Sequence, residues 1–217
     1  MTTLATESNS TRRLLGVIVV AITALIVGLW FGLGGWPKKH IETVAATVLN
    51  PPQPIADFTL VDHHGRPFNK ASLVGQWTFL FFGYTHCPDV CPSTLRVLEQ
   101  VDRALAEHAD GGPGWQVVFV SVDPSRDTPA SLAQYVSYFN PRFLGLTGEM
   151  RAIQTLTDQL GILHMRVEQE DGNGYLIDHS ASVLLVGPDA VLRAIFSAPH
   201  TQESIVQDFL EISAAYS

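Results

Sequence analysis

Cysteine is nearly absent from the 217-residue chain: there are two, Cys87 and Cys91. A disulfide framework of the kind that braces small secreted domains needs more, so two thiols four positions apart point to chemistry rather than scaffolding. Charge is also scarce, with 16% Asp, Glu, Lys and Arg. Beyond the first fifty residues, basic side chains run short in particular. Residues 51–217 hold 9 of the 13 Lys and Arg but 19 of the 21 Asp and Glu, a net of −10. Binding to a phosphate backbone relies on Lys and Arg to displace counterions, so nucleic acid is excluded as a partner. No internal repeat and no low-complexity tract is found.

What the chain does have is one long apolar run. Residues 14–33 read LLGVIVVAITALIVGLWFGL, without charge or proline. About 20 such residues at about 1.5 Å rise each match the thickness of a hydrocarbon core, and a helix satisfies its own backbone groups there. A cleaved secretory signal has a shorter core of about 7–15 residues. No cysteine follows the run to take a lipid, and Trp30, Phe31 and Trp36 suit a membrane interface. The expected organisation is a short cytoplasmic tail (1–13), a transmembrane anchor (14–33), a linker (34–54) ending in Pro51, Pro52 and Pro54, and a folded domain (55–217). Arg12 and Arg13 before the span nearly balance Lys38 and Lys39 after it, so orientation rests on the simpler export of the large domain.

Within 55–217 the periodicities alternate. Residues 77–82 and 117–122 are continuous apolar runs too short for helices, hence strands buried on both faces. Leu95, Leu98, Val101 and Leu105 recur at helical spacing. Thr128 followed by Pro129 caps another helix, a third runs from about Glu149 to Gly161, and a last begins at Thr201. Strands are expected near 165–167, 175–177, 182–186 and 192–196. This order describes an α/β sheet flanked by helices, with the thiols at the carboxyl end of a central strand, where α/β sites commonly sit.

The thiols lie in Cys87-Pro88-Asp89-Val90-Cys91-Pro92. In a helical turn both sulfurs share one face and can grip one ion or close a disulfide. A helix N-terminus favours thiolate, and soft thiolates select copper(I), zinc or iron–sulfur clusters. Zinc usually takes four protein ligands, and only two cysteines exist. A third donor must come from elsewhere, imidazole being the natural candidate. Of the eight histidines, His40 falls in the linker, His63 and His64 in a turn, and His108 and His200 near helix ends. His164 follows a helix stop, and His86, beside Cys87, could tune its acidity. His179 is followed by Ser180 and preceded by Asp178, which could orient its ring. Spacing alone does not choose among them.

The segments FFGYTHCPDVCPSTL, VSVDPSRDTP and YLIDHSASVLLVGPD, in that order, resemble the Sco/SenC family of copper chaperones, over the whole stretch from about Asp57 to the C-terminal helix. The resemblance implies a thioredoxin-like fold, a central mixed sheet flanked by helices, with an N-terminal transmembrane helix. It implies a copper ion held by Cys87, Cys91 and His179. It also implies delivery of copper to the binuclear copper site of cytochrome c oxidase, with that oxidase's copper-bearing subunit and other copper carriers as partners. The chain would then be a single-pass protein of the inner membrane, its main domain on the extracytoplasmic side. The carboxylates of Asp123 and Asp127 either approach the metal or serve a strand-end turn and helix cap. The alternative function is a thiol–disulfide oxidoreductase that reduces the cysteines of the same site.

Overall fold

The computed structural model describes residues 7–32, 41–107, 114–169 and 174–216, and the chain divides into two compact units, Met1–His40 and Ile41–Ser217. The first contains helix α1 (Glu7–Gly32). Its segment Arg12–Trp30 is long and apolar enough to cross a membrane, and none of it is buried. Trp36, Lys38, Lys39 and the linker residues 34–40 lie outside the described residues.

The second unit runs β1 (Ala46–Pro54), β2 (Thr59–Asp62), β3 (Pro67–Asn69), β4 (Trp77–Gly83), α2 (Val90–Glu107), β5 (Trp115–Ser121), α3 (Pro129–Phe139) and β6 (Leu144–Thr147). It continues α4 (Met150–Leu160), β7 (His164–Glu168), β8 (Tyr175–His179), β9 (Val183–Val186), β10 (Val191–Phe196) and α5 (Gln202–Ala215). Eight strands form one sheet in the order β1-β10-β9-β4-β5-β6-β2-β3, while β7 and β8 pair apart from it as a hairpin. The sheet is mixed: β4, β5 and β6 are parallel neighbours, and β9 joins β4 antiparallel.

Alternation along the central strands builds two cores. Trp77, Phe79 and Phe81 of β4, with Val117 and Phe119 of β5, face α2, α3 and α5. Leu80, Phe82, Val118 and Val120 face the opposite way, towards Ile153, Leu156 and Leu160 of α4. All seven residues of β4 are buried, as its uninterrupted apolar run requires. Helix ends follow local chemistry. The Thr128 hydroxyl accepts the Ser131 N–H with Pro129 in the first turn, and Gly161 ends α4 in the left-handed conformation, φ 68°.

Two elements depart from the sequence reading. Residues 46–54 of the expected linker are the edge strand β1, paired antiparallel with β10 and carrying a register shift between Val48 and Gln53. Prolines are tolerated at an edge and in a bulge because the missing N–H owes no ladder bond there. The strand's entry is fastened by buried Asp208 of α5, which accepts N–H groups from Val44, Ala45 and Ala46 at 2.7, 2.8 and 2.7 Å. The other departure is β6, four residues whose apolar signal Gly145 interrupts. Packing leaves that glycine little room to grow: a Cβ there would sit 3.1 Å from Leu132 and 3.2 Å from Val136 of α3.

Candidate metal centre

Strand β4 delivers the chain to the site. It ends at Gly83, where a Cβ would fall 2.4 Å from the Cys91 sulfur and 2.8 Å from Phe119. The bare backbone leaves the room that the sulfur occupies. After Gly83 the chain turns through Tyr84, Thr85 and His86, with the Cys87 N–H on the Tyr84 carbonyl at 3.2 Å. Cys91 is the second residue of α2 and is buried, but Cys87 precedes that helix. The two cysteines therefore do not share a helical face as expected. The loop folds back instead, and the Cys91 N–H points at the Cys87 sulfur at 3.5 Å.

The β7–β8 hairpin brings the third donor. His179, the last residue of β8, sets Nε2 at 3.2 Å from the Cys91 sulfur and Nδ1 at 3.1 Å from the Ser180 carbonyl. A carbonyl only accepts, so Nδ1 carries the proton and Nε2 turns its lone pair towards the sulfurs. The ring is walled by Phe81 and Tyr84, with centroids at 6.1 and 5.9 Å. Its orientation comes from this carbonyl and these rings, not from Asp178, which is exposed. One donor atom from each of Cys87, Cys91 and His179 lies within 4.8 Å of the other two, the only such trio of Cys, His or carboxylate groups among the described residues. Two soft sulfurs and one imidazole nitrogen suit a soft or borderline ion such as copper better than a hard one.

The two thiols, both free, are electrostatically unequal. A hydrogen bond from the Cys91 side chain dominates at Cys87 and brings its thiol down to about 3. Burial opposes this, while the Cys91 and Asp89 N–H groups assist. The same bond, then burial, pushes Cys91 up. The pair thus rests as one thiolate and one thiol.

A second ring of contacts holds this geometry. Buried Asp127 accepts the Thr85 N–H at 3.0 Å, the Thr85 hydroxyl at 2.6 Å and the Ser121 hydroxyl at 2.6 Å, tying the cysteine loop to β5. Buried Asp123 accepts from the Tyr175 hydroxyl at 2.9 Å and pairs with Arg126. Arg126 donates to the Tyr175 carbonyl at 3.0 Å. The Tyr175 ring has the guanidinium carbons of Arg126 and Arg166 each 3.7 Å from its centroid. Asp123 and Arg126, gripping Tyr175, thereby latch the hairpin to the body, while Arg166 of β7 covers the same ring from within the hairpin. Neither carboxylate belongs to the donor trio. Their role is open from sequence alone, and no motif marks Tyr175, although it shares one short strand with His179.

The remaining histidines take other duties. His63, placed in a turn by the sequence, accepts the Gly145 N–H at Nδ1, 3.0 Å. His86 lies beside Thr85 and Asp127 rather than acting on Cys87. His200 meets the Ala181 carbonyl at 2.7 Å. His40 and His108 are outside the described residues. His164, without an evident partner in the sequence, stands directly opposite His179 in the hairpin. Burial lowers its pKa, with Asp158 opposing and His179 assisting.

The sequence model described as SCO1/SenC matches residues 47–214. The chain is 40% identical over 160 residues to the mitochondrial SCO2 homologue of Bos taurus, a match that covers 74% of this chain and 60% of that protein. A protein of Stutzerimonas stutzeri is 40% identical over 192 residues, 88% of this chain and 89% of its own length. Among solved structures, copper-bound ScoI of Arabidopsis thaliana superposes with a TM-score of 0.68 at 33% identity, covering 75% of this chain and 98% of that one.

Proposed function

The chain belongs to the SCO1/SenC family, and from that premise we propose that it is a membrane-anchored copper carrier. In this reading Cys87, Cys91 and His179 hold one copper ion, and the carrier passes it to the binuclear copper site of cytochrome c oxidase. The observation that carries the reading is the trio itself: two sulfurs and one imidazole nitrogen, all within 4.8 Å of one another. Copper(I) is satisfied by three donors, so an incoming thiolate can displace them one at a time without any other bond being made or broken. Helix α1 supplies the anchor, with the second unit on the extracytoplasmic side.

The test is competitive copper(I) titration of the full chain in detergent. Wild type should bind one equivalent, and His179→Ala should bind more than about 100-fold more weakly. Equal affinities would remove His179 from the site.

The unequal thiols support a second reading, that of a dithiol reductase. The Cys87 thiolate would attack a partner disulfide, Cys91 would then displace the mixed disulfide, and two electrons would pass to the partner as a Cys87–Cys91 disulfide forms. That exchange survives His179→Ala, whereas copper retention does not. Thiol–disulfide exchange and copper binding measured on the same variant separate the two.

A further inference from the structure

The hairpin carries a second imidazole beside the first. The Ser180 N–H donates to the Leu163 carbonyl and the Gln169 N–H to the Gly174 carbonyl, both at 2.9 Å. The residue pairs 163/180 and 169/174 are therefore of the hydrogen-bonded kind. Alternation makes 165/178 and 167/176 the same kind and leaves His164 and His179 as a non-hydrogen-bonded pair. Such pairs bring side chains closest, on one face, with Cβ atoms about 4.5–5.5 Å apart, a spacing two imidazoles can use to share one ion. Both histidines line the same cavity of about 510 Å³. The His164 side chain is half-buried and its ring has no hydrogen bond among the described residues. Asp123 and Asp127 are committed to the contacts above, and Asp178, which also lines this cavity, is exposed and pairs with Met165 at the alternate position of the ladder.

We propose that His164 is a fourth copper donor, recruited by copper(II) and left aside by copper(I). His164 stands outside the trio that lies within 4.8 Å, so it joins by side-chain rotation. The two oxidation states differ in what they ask for. Copper(I) is content with two sulfurs and one nitrogen, while copper(II) prefers four or more ligands and favours nitrogen. A neighbouring imidazole without a hydrogen bond meets that demand. This inference rests on Cys87, Cys91 and His179 being the copper site, and it adds a donor that only one oxidation state engages.

The full chain in detergent, loaded with copper(II), provides the test. Pulsed electron paramagnetic resonance counts the coupled imidazoles through their remote nitrogens. Two are expected in wild type and one in His164→Leu. The sulfur-to-copper(II) absorption band should shift in the variant, while copper(I) affinity stays within about twofold of wild type. One imidazole in wild type, with a visible sulfur-to-copper band, would overturn the role of His164 while leaving the carrier reading intact. Absence of that band and of stoichiometric copper(I) binding in wild type would overturn the carrier reading itself. Should His164→Leu fold poorly, the wild-type nitrogen count and His164→Asn decide the matter.

Discussion

Cys87 and Cys91 are four residues apart and differ in almost everything that governs a thiol. Cys87 is partly exposed, precedes α2 and receives two backbone N–H groups. Cys91 is buried against Gly83 and Phe119. An ordinary thiol of pKa about 8.5 loses alkylation rate about 100-fold between pH 7 and pH 5, because its thiolate fraction falls by that factor. With its thiol at about 3, Cys87 keeps its charge throughout that interval. Iodoacetamide should label Cys87 with less than about a threefold fall in rate over the same range. Peptide mass mapping should find Cys91 untouched. A 100-fold fall at Cys87 would contradict the thiolate assignment. The spacing of the cysteines made their proximity legible from sequence, but their inequality was not. It depends on where α2 begins and on the absent side chain of Gly83, neither of which a motif records.

At the scale of elements, the hairpin β7–β8 is the part most dependent on contacts outside its own pairing. It belongs to no larger sheet, and isolated two-stranded hairpins are marginal in water. The latch through Tyr175 supplies the missing support, so Tyr175→Leu should loosen His179 without touching a donor atom. Hairpin amides should exchange about tenfold faster, and copper(I) affinity should fall about tenfold, the cost typical of losing a group that orients a ligand. Unchanged exchange would show that strand pairing and buried Ile177, whose N–H meets the Tyr84 hydroxyl, hold the ring without Tyr175. The long apolar strands β4 and β5 and the capped helices were readable because one local rule governs each. The edge strand β1 and the short β6 were not, because proline-rich extended backbone and a four-residue run acquire meaning only from their neighbours. His179 was similarly undetermined by spacing. Its approach to Cys91 across 88 residues is a product of topology, and the resemblance named it where periodicity could not.

For the whole molecule, the start of the folded unit is governed by one carboxylate. Asp208 of α5 is buried and receives three successive N–H groups from the segment leading into β1. Asp208→Ala removes charge-assisted bonds and should cost about 3 kcal/mol, a fall of about 6–12 °C in the melting temperature of a unit this size. Calorimetry checks the figure, and a change below about 1 °C would mean that β1 holds its place by ladder bonds alone. The donor trio is likewise distributed over the architecture, two sulfurs beside β4 and one nitrogen on the detached hairpin. An ion held by all three cross-links two pieces of backbone that share no ladder, so retention of the ion and docking of the hairpin are one thermodynamic quantity seen from two sides. Whatever lifts the hairpin weakens the grip on the metal by the same factor that the metal strengthens the hairpin's hold on the body.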